Sequence, residues 1–350
     1  MFENIGKFWA TACATGPVEC YDENEIIFSN SVYYIRKFQD GPGDPVLFRP
    51  PTSGHDEKVL LSMSPGKSPV ETIKNCMPDS PVYALCYHPA GTHENVYFED
   101  LVDHVAEVIK LIDRPVHLIG MCQGGYSLLC HTAIDESDIL SLHLMASATD
   151  FHKGGGYFYD LVKMFGIGPV EKIVADNDGI MPGKVLLTNF VMMNPYERFI
   201  GDYLKIVNNV VHGRSQALEE TAIFRKWFYR PQDTEGGWVV DVNRDGFRDN
   251  KMINGKLEIH GRLVDPSKIT IPVGVTWGKT DDITVKESAR AIMYKVASEY
   301  VVEHALNAGH MGVYIGKKSQ VKLKRMMLRL KAASARHIAK RMLRLDRRHL

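Results

Sequence analysis

Apolar residues along the chain fall into short β-branched runs that alternate with stripes at helical spacing. Ser31-Val-Tyr-Tyr-Ile-Arg-Lys-Phe alternates like a half-exposed strand, and Val46-Leu-Phe, closed by Pro50-Pro51, reads as a buried one. Ser68-Pro-Val-Glu-Thr-Ile opens a helix with proline in its first turn. Val82-Tyr-Ala-Leu-Cys-Tyr predicts a further buried strand. Phe98, Leu101, Val105, Val108 and Ile109 then share one helix face at 3.6-residue spacing. Residues 116–119 form the next short run, which passes through Gly120 into an apolar helical stretch. Residues 142–150 predict another strand, and two more come late, at 271–278 and around 300–304.

Strand and helix alternate through residue 150, an order that predicts a mostly parallel sheet. Residues 151–265 break the rhythm. They are rich in Met, Phe, Tyr and Trp, with helical patterns between glycines and prolines and few β-branched runs. A helical cap inserted between sheet strands is the reading this supports. The expected division is a poorly patterned lead-in at 1–30, a core at 31–150 and 266–325, the cap at 151–265, and a basic C-terminal helix or tail at 326–350.

With 350 residues, 45% hydrophobic and 24% charged, the chain has the composition of a globular enzyme with ample core. No apolar run approaches the roughly 20 residues that span a bilayer. The early acid Glu3 and the short apolar patch after it predict no secretory signal. Cysteines 13, 20, 76, 86, 122 and 130 show no C-x-x-C pairing, which fits a reducing cytoplasm and argues against structural zinc. The formal net charge of zero conceals an asymmetry. From Lys317 onward there are thirteen Lys or Arg and one acid, Asp346, so the tail is about +12 and suited to an anionic surface.

Chemistry concentrates at Pro115-Val-His-Leu-Ile-Gly-Met-Cys-Gln-Gly-Gly-Tyr. Gly120-x-Cys122-x-Gly124-Gly125 is the nucleophile-elbow pattern with cysteine in place of serine. Glycines on both sides allow a sharp strand-to-helix turn that lifts the central side chain, and the helix N-terminus favours a thiolate. The plainer alternative is a packed cysteine beside a glycine-rich turn. A nucleophile needs a base and a group that orients the base. Asp281 follows the late strand by three residues from Gly278, and Ala308-Gly-His310-Met-Gly follows the last strand, so Cys122, Asp281 and His310 are the candidate triad. Asp282 competes with Asp281 for the acid. Gln123 and the loop Thr52-Ser53 lie where oxyanion donors are expected, and Asp150 is a candidate substrate contact or a turn residue. Together these predict an α/β-hydrolase fold with a mostly parallel sheet and an inserted helical cap. Gly278-Lys279-Thr280 resembles the end of a P-loop, but Val273 stands where that loop needs glycine. His55, His88, His93 and Cys86 have no metal-ligand spacing, and no metal is expected.

Gly120-Met-Cys-Gln-Gly-Gly resembles the lipase-like box of polyhydroxyalkanoate synthases, in which cysteine replaces the lipase serine. Ser64-Pro-Gly-Lys-Ser-Pro-Val, Ala148-Thr-Asp150-Phe, Met181-Pro-Gly183 and Lys226-Trp227-Phe are similar to further segments of that family. Asn250-Lys-Met-Ile-Asn-Gly-Lys-Leu-Glu-Ile-His-Gly-Arg-Leu-Val-Asp-Pro and Gly309-His310-Met-Gly-Val-Tyr-Ile most resemble the short two-component, class III-type synthases. The resemblance covers roughly residues 45–325. Two departures stand out: Asp281-Asp282-Ile replaces the family's Asp-His-Ile, and Cys86-Tyr87 replaces a strand-ending Asp-Trp. Thr52-Ser-Gly-His is similar instead to intracellular polyhydroxyalkanoate depolymerases, which lack the double glycine after the nucleophile.

The resemblance implies an acyltransferase that polymerises hydroxyacyl-CoA through a Cys122-linked acyl group, with His310 activating the thiol and Asp281 assisting the substrate hydroxyl. It requires no cofactor beyond the CoA thioester substrate. Its implied partners are hydroxyacyl-CoA, the growing polyester, a second synthase subunit, and further copies in a homo- or hetero-oligomer. The basic tail would meet a granule surface, a membrane or nucleic acid, at a cytoplasmic location. Two alternatives remain open at this point. One is a hydrolase, a polyester depolymerase or thioesterase, using the same residues with water as acceptor. The other is a non-catalytic synthase-like subunit that binds a granule or partner.

Overall fold

Eight strands form one sheet in the computed structural model, which describes residues 2–91 and 95–346. They are β1 (Glu25–Ser29), β2 (Tyr33–Gln39), β3 (Val46–Arg49), β4 (Val82–Tyr87), β5 (Val116–Met121), β6 (Ile139–Met145), β7 (Val273–Gly278) and β8 (Val301–Leu306). Their spatial order is β1-β2-β4-β3-β5-β6-β7-β8. The β1–β2 and β2–β4 pairs are antiparallel and the rest parallel.

Helices cover both faces, which is why β3, β5 and β7 are buried at every position. Side chains alternate between the two layers. The helices that precede the long segment between β6 and β7 include α1 (Phe2–Ala12), α2 (Pro69–Cys76), α3 (Phe98–Ile112) and α4 (Gln123–Ile134), and Leu47, Leu118, Leu144 and Val275 pack on one side against α3 and α4. Val46, Phe48, Ile119 and Met121 face the other way, among Val70 and Ile73 of α2. Helix α2 starts as its sequence predicts, with Pro69 in the first turn and the Ser68 hydroxyl accepting from the Glu71 N–H at 2.9 Å. All five apolar positions expected on α3 are buried, with Val102 beside them.

Between β6 and β7 the chain is mostly helical and includes α5 (Asp202–Val211) and α6 (Ser215–Phe228). After β8 come α7 (His310–Ile315) and the long α8 (Lys317–Asp346). The apolar stripe at Leu323, Met327 and Leu330, joined by Met326, packs onto the sheet, whereas Ile338 and Met342 are exposed. The boundary expected at residue 326 therefore falls inside one continuous helix, and residues 347–350 lie outside the described residues. No described helix is long and apolar enough to cross a membrane.

Two other boundaries differ from the sequence reading. The stretch 1–30 carries α1 and β1 and is not a loose lead-in. Ala12 packs with Ile206, Val210 and Leu218, and β1 is an edge strand with four of its five residues exposed. A half-covered helix and an exposed edge strand leave little periodicity to read. Strand β6 ends at Met145, well short of Asp150, because Ala146 takes a left-handed φ of 44° that breaks the extended run.

Burial of histidine within the sheet has a consequence for acid stability. His117 and His143 are fully buried, and burial holds their pKa values down at about 4 and about 3. Their ring nitrogens meet the Ser141 hydroxyl at 2.8 Å and the Thr276 hydroxyl at 2.9 Å. Each regains a pKa near 6.5 on unfolding, so the unfolded chain binds more protons below that pH. Their stabilisation is complete above about pH 6.5 and is lost as the pH falls toward 3–4, at up to about 1.4 kcal/mol per pH unit for each group. Urea melts at pH 7 and pH 5 are expected to show a lower midpoint at pH 5, and His143→Gln should flatten that dependence. Equal midpoints in the parent chain would contradict the assignment.

Candidate active site

Strand β5 delivers Cys122 to a sharp strand-to-helix turn. Its φ of 49° is strained for an L-residue, and the strain turns the thiol out of the sheet while α4 starts at the next residue. The neighbouring glycines are required by close approach. A Cβ on Gly120 would lie 2.3 Å from the Gly125 Cα, and one on Gly124 would lie 2.1 Å from the Arg49 carbonyl oxygen. The Cys122 N–H donates to the Met145 carbonyl at 3.0 Å, which ties the nucleophile's backbone to the end of β6.

Two distant loops bring the other groups. Asp281 lies three residues beyond β7, and its side chain has no solvent exposure. Its Oδ1 accepts from the Ile283 N–H at 3.0 Å and the Thr284 N–H at 2.9 Å, which fixes the carboxylate. His310 begins α7 after β8, and its Nδ1 lies 2.9 Å from Asp281 Oδ2. A carboxylate only accepts here, so Nδ1 carries a proton. Nε2 meets the Tyr314 hydroxyl at 3.2 Å, and Cys122 lies near enough for its charge to act on the ring. Burial alone would pull the His310 pKa down, but the charges of Asp281 and Cys122 overcome it and push it up to about 10. A raised histidine pKa stabilises the folded chain below pH 6.5, and that contribution fades as the pH climbs toward 10. Asp282, the competing acid, is exposed, and its carbonyl accepts the Tyr157 N–H at 3.2 Å.

The expected oxyanion and substrate groups divide. Gln123 and Ser53 line the cavity in front of Cys122. Thr52 instead lines a separate pocket of about 30 Å³ with Arg49 and Asp233, and its carbonyl accepts the Thr234 hydroxyl at 2.7 Å. Its N–H and hydroxyl both point at the Gln123 side-chain oxygen, at 3.3 Å each. Asp150 does not line the cavity; its Oδ1 accepts from the Asn250 amide at 2.8 Å and the His152 N–H at 3.2 Å, a turn role. His55 lies tilted against Trp227 with ring centroids 4.5 Å apart, and its Nε2 meets the Phe228 carbonyl at 2.8 Å. His88 meets the Ser29 hydroxyl, Cys86 is buried, and His93 lies outside the described residues.

The cavity measures about 740 Å³, and its walls are largely apolar, with Phe158, Phe190, Trp238 and Phe247 prominent. Those aromatics come from the helical insertion, where no motif marks them. Tyr314 also lines it, four residues after His310 on the same face of α7. That i, i+4 spacing was the available signal for Tyr314.

This sheet order, with the nucleophile after β5, an acid after β7 and histidine after β8, defines the α/β-hydrolase fold. Monoacylglycerol lipase from Paleococcus ferrophilus shares it, with a TM-score of 0.55 at 14% identity over 86% of this chain and 99% of that one. The family model described as "PHB de-polymerase C-terminus" matches residues 170–332, a stretch that includes Asp281 and His310. Among curated proteins, the chain is similar to the poly(3-hydroxyalkanoate) polymerase subunit PhaC of Haloarcula marismortui. The two are 24% identical over 229 residues, covering 65% of this chain and 47% of that protein. The PhaC subunit of Allochromatium vinosum is 25% identical over 226 residues, covering 65% of this chain and 61% of that protein. The chain thus spans between about half and three fifths of these relatives' length. It is an α/β-hydrolase-fold protein distantly related to polyhydroxyalkanoate synthases and to the depolymerase and lipase families.

These matches correct the expected activity. The polymerising acyltransferase and its CoA-thioester chemistry do not stand, because the matching family model is that of a depolymerase and the synthase likeness is distant and partial. Hydrolytic chemistry fits the findings better.

Proposed function

We propose that this protein is a cysteine-dependent hydrolase of uncharged, apolar esters, with a polyester of hydroxy acids as its leading substrate. The observation that carries the reading is the Cys122–His310–Asp281 line opening onto an apolar cavity of about 740 Å³. The sulfur of Cys122 adds to the ester carbonyl, and the oxyanion is held by backbone N–H groups at the start of α4. The C–O bond then breaks, and the proton on His310 Nε2 goes to the leaving alkoxide. Water attacks the resulting thioester, gives its proton to His310, and releases the free acid with the sulfur regenerated.

Charge at the cavity supports an uncharged ester over a CoA thioester. Its described Lys and Arg side chains, Arg198 and Lys205, are each paired, Arg198 with Asp202 at 2.9 Å and Lys205 with Glu197, and His310 is paired with Asp281. Little positive charge is left for a nucleotide phosphate. Next to Arg198 and Lys205 in the chain, Phe199, Ile200 and Leu204 are exposed and add apolar surface on the same segment.

A pH-stat assay with oligomeric 3-hydroxybutyrate and with p-nitrophenyl butyrate tests this. One equivalent of acid is expected for every ester bond lost. A folded protein that releases no acid from either ester contradicts the proposal.

A further inference from the structure

Tyr314 is buried and has no part in the reaction as written, yet its hydroxyl lies at the reacting atoms. It is 3.2 Å from His310 Nε2, and it donates to the Met145 carbonyl at 3.3 Å. That same carbonyl accepts the Cys122 N–H at 3.0 Å, so one oxygen at the end of β6 anchors both the nucleophile's backbone and this phenol. The two rings meet edge to face, with centroids 5.3 Å apart. A phenol has a single proton. With that proton on the Met145 carbonyl, its lone pairs are what Nε2 meets.

We propose that Tyr314 is a positioning residue, whose hydroxyl, pinned by Met145, accepts the Nε2–H of His310 and keeps that proton between the Cys122 sulfur and the leaving alkoxide. This rests on the hydrolase reading for its catalytic consequence, though not for the hydrogen bond itself. The groups around His310 agree with it. Asp281 holds Nδ1 from the loop after β7, and the charge of Cys122 acts on the ring from the elbow. Across the cavity, Glu197, Arg198 and Lys205 are engaged in ion pairs, Asp282 is exposed, and burial holds His55 toward its neutral form. Burial also keeps the phenol pKa well above its ordinary value, so Tyr314 retains its proton throughout the cycle. A neutral His310 would present a lone pair at Nε2 and pull the phenol proton away from Met145; the raised His310 pKa favours the other arrangement.

The test is Tyr314→Phe in the full chain, which removes one oxygen from a packed ring. At pH 7, kcat/KM for ester hydrolysis is expected to fall about tenfold, through kcat with KM unchanged. The alkaline limb of the pH–rate profile, where His310 loses its proton, should move down by about one pH unit. Alkylation of Cys122 by iodoacetamide at pH 7, taken as the difference from Cys122→Ala, should slow by a similar factor. If Tyr314→Phe fails to fold, 3-fluorotyrosine at position 314 keeps the shape with a weaker acceptor and should give a smaller shift in the same direction. An alkaline limb and an alkylation rate equal to the parent's would overturn the proposal, even if turnover dropped. The alkylation arm needs no substrate, so it reads Tyr314 even if the hydrolase proposal fails.

Discussion

Cys122→Ala loses ester hydrolysis, with kcat/KM expected to fall by about 10⁴-fold or more, while the thermal midpoint stays close to the parent's. The size follows from the geometry. Cys122 is the group that the elbow's strained φ of 49° presents to His310, and alanine fits that turn without replacing the sulfur. Ser53 also lines the cavity, but His310 makes its hydrogen bonds to Asp281 and Tyr314 and feels the charge of Cys122. Cys122→Ser is expected to stay far below the parent. A hydroxyl gives up its proton far less readily than a thiol, so serine at the same turn is the poorer nucleophile. Acid release by Cys122→Ala within tenfold of the parent would remove Cys122 from the mechanism.

The second large effect is on folding. Gly124→Ala is expected to cost about 3 kcal/mol or more, because the new Cβ would lie 2.1 Å from the Arg49 oxygen and 2.6 Å from that of Pro50. Both obstacles are backbone atoms of the segment leaving β3 and cannot rotate aside. Separating that segment from α4 would also displace the loop that carries Ser53. Gly168→Ala, where the added methyl meets nothing within 4 Å, is the control and should shift stability by less than about 1 kcal/mol. Denaturant midpoints measure both. Equal midpoints for Gly124→Ala and the parent would mean that the elbow is looser than its packing implies.

Parts of this site were legible in the sequence because backbone geometry leaves a residue signature. Gly120, Gly124 and Gly125 have neighbours far inside van der Waals contact of a Cβ, so the elbow leaves a glycine pattern that can be read in the sequence. Asp281 and His310 follow strand ends, and strand ends are visible as β-branched runs that stop. Spacing from Gly278 favours Asp281 over Asp282, but it does not orient either carboxylate; that depends on which one the Ile283 and Thr284 N–H groups capture. Thr52 and Ser53 likewise share a loop but face different pockets, and only the backbone path separates them. The cavity aromatics were hidden in the insertion, where helix-spaced Phe and Trp look the same whether they fill a core or line a void. Direction of reaction was the least legible feature. A thiol, an imidazole and a carboxylate serve transfer to a hydroxyl and transfer to water alike, and the acceptor depends on access to the thioester, which no motif encodes.

The central claim is that an acyl group rests on the Cys122 sulfur and leaves it for water. Rapid acid quenching during turnover of p-nitrophenyl butyrate, followed by mass spectrometry of the peptide bearing Cys122, tests it most directly. The account predicts one butyryl group on Cys122, removable by hydroxylamine, that decays as free butyrate appears. Butyrate released at the full rate with no adduct on Cys122, or with the adduct on another residue, would contradict it.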